Sequence, residues 1–188
     1  MAIVFILVTE PYLNGRDKVG CSYQGGRFVF ANMNKNNLKE AVIRRLKADH
    51  ALLLQAAKKA HEAATDEENI PDNKYETLAL EASYIAQGQA NRAQEIALAV
   101  QAFETMTLQS FDQESEIRLS ALVELEDVAG EKKWVFLVPA SGGLGIVFEG
   151  QEIILITPAS PLGRGLLHCS CGDLIEVADR EYEILNID

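Results

Sequence analysis

Apolar residues recur at steps of three and four, or their multiples, through the first half of the chain. Val42, Leu46, Leu53, Ala56, Ala60 and Ala63 keep to one seam of a helical period. The pattern predicts a helix that opens at an Asn37-Leu38-Lys39-Glu40 capping box and runs to about Ala64. The run from Thr65 to Asn73 breaks the period. Pro71 within it cannot continue a preceding helix, but it suits the first turn of a new one. A second helix is predicted from about Asp72 to about Ser110. Its seam is Tyr75, Leu78, Ala82, Ile85, Gln89, Arg92, Ile96, Ala99, Phe103 and Met106. Two long helices joined by so short a break fold back as an antiparallel hairpin. At 1.5 Å per residue, arms of roughly thirty residues reach about 45 Å. Such a hairpin is too thin to hold a globular core, and it predicts a projecting finger.

From Ile117 the period switches to two. Strands are predicted near Arg118–Leu125, Lys133–Pro139, Gln151–Ile156, Asp173–Val177 and Arg180–Ile187, with a short helix between Pro161 and Leu167. Gly142-Gly143-Leu144-Gly145 reads as a loop between strands. It lacks the Lys-Ser/Thr and the helix start of a phosphate-binding loop. The fold class is α+β: a long antiparallel two-helix coiled coil over residues 33–112, then a small, mostly antiparallel β domain over 113–188. Residues 1–32 stand apart. Ile3–Val8 and Arg27–Ala31 look like strands, while Met33 sits just before a strong helix start. The stretch is read either as a strand extension or as a misassigned start, and the second is preferred because nothing downstream requires the extension.

Charge sharpens this division. The net charge is −11, yet residues 33–62 carry seven basic and three acidic side chains, while residues 63–188 carry seven basic and twenty-three acidic ones. Bulk acidity argues against general duplex DNA binding, which needs a basic face to neutralise phosphates. The basic arm, with Arg44, Arg45, Lys58 and Lys59, still suits RNA or an acidic protein surface, although a solvated helix face is the commoner reason for such charges. Three cysteines, Cys21, Cys169 and Cys171, make no regular framework and point to a reducing compartment. The opening apolar run lacks a basic flank and a cleavage site, and no stretch approaches the ~20 apolar residues of a membrane span. A cytoplasmic location is expected, with no membrane partner.

The order of C-terminal residues is specific. Ile156-Thr157-Pro158-Ala159-Ser160-Pro161-Leu162-Gly163-Arg164-Gly165 is followed by Gly172-Asp173 and then Glu181-Tyr182-Glu183-Ile184. With Asp72-Asn73 before Tyr75 and an Ala-, Glu- and Gln-rich second helix, the chain from Met33 to Asp188 resembles the Gre transcript-cleavage factor family. The resemblance implies a C-terminal domain of FKBP-like topology and a role as a transcription elongation regulator. It implies binding to bacterial RNA polymerase at the secondary channel, with nascent RNA and the DNA of the elongation complex as indirect partners. Carboxylates at the finger tip would then help hold Mg²⁺ and a water at the polymerase active centre. The chain would not be an enzyme and would hold no metal stably; it would stimulate the polymerase's own nuclease.

The tip departs from the family pattern Gly-Asp-Leu-Ser-Glu-Asn, for which this chain has Glu68-Asn69-Ile70-Pro71-Asp72-Asn73. Asp72 keeps the charge of the family's Glu on a shorter arm. Asn69 removes the charge of its Asp, with Glu68, Glu67 and Asp66 as nearby substitutes. Phosphoryl chemistry with metal ions needs hard anionic oxygens, so Asp72 is the first candidate and Glu68 the second. Read alone, the same acids would merely cap a helix, at ~0.3–1 kcal/mol each. The resemblance also places Ser160, Pro161 and Leu162 at the grip on the polymerase rim, where the residues themselves read as a helix start. His168-Cys169-Ser170-Cys171 is too crowded and too short of ligands for a zinc clip. Two alternatives stay open: a coiled-coil adaptor with the same fold and no cleavage role, and an isomerase built around Trp134 and Phe136, which the low aromatic content of 7% disfavours.

Overall fold

A computed structural model of the protein describes residues 21–24, 27–30, 33–65, 75–112 and 114–188; at 21–24, 27–30, 63–65, 75–80 and 82 it describes the backbone alone. The chain divides into two units, Met1–Met33 and Asn34–Asp188. In the first, β1 (Cys21–Gln24) and β2 (Arg27–Phe30) pair antiparallel. The expected strand at Ile3–Val8 lies outside the described residues.

The second unit opens with α1 (Lys35–Thr65), which packs along α2 (Tyr75–Thr105). Asn34, not Asn37, caps α1. Its Oδ1 accepts from the N–H groups of Asn36 and Asn37 at 3.0 and 3.2 Å, and its carbonyl accepts from Leu38. The helix therefore starts a turn earlier than the capping box predicted. Asn34 stands one turn before the buried Leu38, whose N–H its carbonyl accepts, so the orphan donors of the first turn fall to its side chain.

The hairpin is anchored at its base and thin beyond it. Leu38, Val42 and Phe103 have no exposed surface, and Leu46, Ile96 and Met106 are buried beside them. Each fully buried large side chain contributes ~1.5–3 kcal/mol. Past Leu46 on α1 and before Ala93 on α2, no described residue is buried. Leu53, Ala57, Ala60, Ala86 and Gln89 are half-covered there, as a pair of helices packed along each other produces. This corrects the predicted seam at three positions. Ala56, Ile85 and Arg92 are exposed, and their neighbours Ala57, Ala86 and Ala93 face inward. Small side chains let the helix axes approach, and the larger Ile85 is turned to solvent.

Lys39, in the first turns of α1, bonds across the hairpin. Its Nζ donates to the carbonyls of Met106 at 2.7 Å and Glu104 at 3.3 Å. It thereby satisfies acceptors that the end of α2 leaves open. Lys35 Nζ reaches the Gln109 carbonyl at 2.7 Å and stands 4.7 Å from the centre of the Phe111 ring. These contacts close α2 at Thr105 rather than near Ser110.

The β domain is a six-stranded sheet in the order β5 (Gly145–Phe148), β6 (Gln151–Ile156), β4 (Lys132–Leu137), β3 (Leu122–Asp127), β8 (Arg180–Ile187), β7 (Leu174–Val177). The pairings are antiparallel except β4 with β6, which is parallel. The Gly-rich stretch is a loop through Leu144, as read, and its last residue, Gly145, opens the unpredicted β5, whose hairpin with β6 turns the chain back so that β6 enters beside β4. Strand β3 begins at Leu122, not Arg118, because Ser120 takes a left-handed conformation and Ala121 closes a turn onto Arg118. One face of the sheet carries Val123, Leu125, Val135, Leu137 and Ile184 in a common core with Leu166 of α3 (Pro161–Leu166). The combination of long helices and a mixed sheet is the α+β class.

Candidate functional site

The residues with the strongest chemical case, Glu67, Glu68 and Asp72, lie outside the described residues, as do Asp66 and Asn69. What the structure describes is their mounting: two helices of 31 residues each whose facing ends flank the acidic segment.

The basic arm is exposed and largely paired within the protein. Arg45 binds Asp49 through both carboxylate oxygens at 3.0 and 3.1 Å; Arg44 stands 3.8 Å from Glu40, and Lys58 stands 3.8 Å from Glu62. Lys47 crosses to Glu104 at 2.8 Å. Exposed pairs of this kind contribute ~0–1 kcal/mol, so exchange for an external anion costs little. Lys59 is exposed.

In the β domain, Ser160 opens α3. Its Oγ accepts from the Gly163 N–H at 3.0 Å and donates to the Thr157 carbonyl at 2.8 Å. Pro161 occupies the first helical position and is exposed, whereas Leu162 packs partly on the core. The helix-start reading of Ser160-Pro161-Leu162 is what this geometry displays. Gly163 is held by a close approach: a Cβ there would stand 2.0 Å from the Thr157 carbonyl oxygen.

The Cys169 and Cys171 thiols donate to different carbonyls, Gly165 at 3.2 Å and Leu185 at 3.1 Å. Burial, then the nearby Asp173, raises the Cys169 thiol above its ordinary range. Among the described residues, no group of three or more His, Cys, Asp and Glu side chains is placed to hold a metal ion. Trp134 and Phe136 are buried in β4.

Sequence reasoning missed two charged assemblies. At the finger's base, Lys35 stands 3.9 Å from the Asp188 carboxylate. Burial lowers the Lys35 ammonium below its ordinary value against the pull of Asp188, and raises the Asp188 carboxyl against the pull of Lys35. In the sheet, Lys133 lies 3.5 Å over the Tyr182 ring. Hydrogen bonding to Lys133, then to Arg180, draws the Tyr182 phenol below its usual range. Neither assembly leaves a local signal, because each joins residues far apart in the chain.

No protein-family model matches this chain. No curated protein matches it either. Among solved structures it is similar to the crystal structure of GreA factor homolog 1 (Gfh1) protein of Thermus thermophilus, at 21% identity and a TM-score of 0.32, over 80% of this chain and 94% of that one. It is likewise similar to a structure of the transcription factor Gfh1, at 21% identity and a TM-score of 0.32, over 79% of this chain and 92% of that one. Likenesses of this degree support no assignment by themselves.

Proposed function

We propose that this protein is a transcription elongation regulator that binds bacterial RNA polymerase and carries its acidic segment into the secondary channel on the helical hairpin. The observation that supports this most is the hairpin itself. Two helices of 31 residues each bury side chains, among those described, at the base alone, and the segment between them holds Asp66, Glu67, Glu68 and Asp72. A stalk of about 45 Å with acids at its far end suits delivery of carboxylate oxygens into a recessed centre. The order of residues from Ile156 to Ile187, which resembles the Gre family, supports the same reading. Carboxylates are the hard donors that Mg²⁺ takes, so the tip chemistry fits a metal shared with the polymerase. In this reading the protein supplies ligands and position, and the polymerase supplies the nuclease.

Stalled, backtracked elongation complexes mixed with the protein and Mg²⁺ test this. Shortened RNA is the expected result, and Asp72→Ala should abolish it while polymerase binding persists. Asn69→Asp should increase it by restoring the second charge. Competition with a channel-binding factor without shortened RNA identifies a regulator that does not stimulate cleavage. Failure to bind polymerase overturns the proposal in favour of an adaptor.

A further inference from the structure

Strand β7 is the outer strand on one side of the sheet. Its hairpin with β8 turns through Ala178 and Asp179, both left-handed, at φ 53° and 59°. A two-residue turn of this type makes Val177 and Arg180 a hydrogen-bonded pair. Antiparallel alternation then makes Ile175 and Tyr182 the next such pair. The Ile184 N–H donating to the Asp173 carbonyl at 3.0 Å keeps the same phase. Leu174 and Glu176 therefore turn their backbone N–H and C=O groups to the open side. Among the described residues no other strand pairs with that side.

The side chains around this edge are unusual for a protected one. Leu174 is 64% exposed and Val128, on the β3–β4 turn, is 84% exposed. Behind the edge, across β8 between the β3–β4 turn and β7, lies a groove of about 420 Å³, lined by Asp127, Val128, Glu176, Asp179, Arg180 and Glu181. A second hollow of about 130 Å³ adds Glu126, Leu174 and Glu183. Like charges face each other across the strands: Glu176 opposite Glu181, and Glu126 opposite Glu183. Such pairs destabilise a sheet. Arg180 lines the groove itself, Lys132 approaches Glu126 at 3.8 Å, and Asp127 is bound by the N–H groups of Ala129 and Glu131. The acidic excess survives these contacts.

We infer that the β7 edge is a docking surface for an extended, lysine- or arginine-bearing segment of another protein, which adds to the sheet as a seventh strand. The open N–H and C=O groups of Leu174 and Glu176 would supply the ladder, the exposed Leu174 an apolar seat, and Glu176, with Glu181 and Glu183 one strand behind it, the charge complement. A second copy of this chain is disfavoured at the same edge, because two acidic ladders would meet, and a nucleic acid would bring phosphates against carboxylates.

The test uses the full chain and a short labelled peptide of alternating lysine and valine, followed by fluorescence anisotropy and by backbone amide NMR. The peptide should bind at low ionic strength, with the Leu174 and Glu176 amides among those that shift. The fully N-methylated peptide keeps the charges but cannot donate to the ladder, and it should bind about tenfold more weakly or worse. The Glu176→Lys, Glu181→Lys double variant should lose about tenfold or more. No binding, equal binding of the N-methylated peptide, or shifts confined to another surface each overturn the inference. So does concentration-dependent self-association through β7. The two peptides are compared on the unaltered protein, so the outcome does not hang on the variant's folding.

Discussion

Gly163→Ala offers a sharp test of the packing beneath the Ser160-Pro161-Leu162 turn. The added methyl would stand 2.0 Å from the Thr157 oxygen, 2.8 Å from its carbonyl carbon and 3.0 Å from Ser160 Oγ. An ordinary contact needs roughly 3.5 Å, so the overlap is about 1.5 Å, and the obstacle is backbone, which cannot rotate aside. Relief requires moving the first turn of α3. That breaks the Ser160 cap, worth ~1 kcal/mol, and loosens Leu166, whose complete burial contributes ~1.5–3 kcal/mol. A loss of about 3 kcal/mol follows, which for a chain of this length lowers the melting temperature by roughly 6–12 °C. Gly165→Ala is the matched control: its methyl would meet only Val177 Cγ2 at 3.0 Å, the end of a side chain that can shift. Thermal unfolding followed by circular dichroism should separate the two variants clearly. If Gly163→Ala melts within about 2 °C of the parent, or together with Gly165→Ala, the close approach does not hold this turn.

Two further outcomes follow from other sites. Gly88 lies exposed within α2, and a methyl added there would meet nothing within 4 Å, so Gly88→Ala should raise stability by ~0.5–1 kcal/mol in urea unfolding; a loss would mean that the hairpin needs the bare backbone there. The half-buried Asp188 carboxyl binds its proton more tightly in the folded protein than in the unfolded chain, so its contribution is fully present below the ordinary value of 3.8 and declines as pH rises through the raised folded value. Asp188→Asn should therefore gain on the parent as pH rises through that window, and a pH-independent difference between them would contradict the burial argument.

The long helices were legible because a single apolar stripe is written locally, in steps of three and four. Their exact phase was not. Ile85 looks like a core residue beside Ala86, yet only the approach of the partner helix decides that the smaller one faces inward. The helix start was ambiguous for a similar reason, since Asn34, Asn36 and Asn37 share the same capping chemistry. Most strands announced themselves through alternation, but β5 is four residues long and follows two glycines. The acidic groove was invisible in sequence because Glu126 and Glu183 become neighbours only through the β3–β8 pairing. The carboxylates of the tip were named from residue types and resemblance, which is all that a local reading of Glu67, Glu68 and Asp72 offers.

The lysine contacts at the foot of the hairpin have an architectural consequence. Lys35 and Lys39 tie the beginning of one arm to the closing carbonyls of the other, so the stalk leaves and re-enters the body at one doorway. Seven residues added to each arm, at facing positions, would lengthen the reach by about 10 Å without altering that doorway. Stalk length is thus an independently adjustable dimension, a gauge that lineage or engineer can reset while the foundation stays as it is.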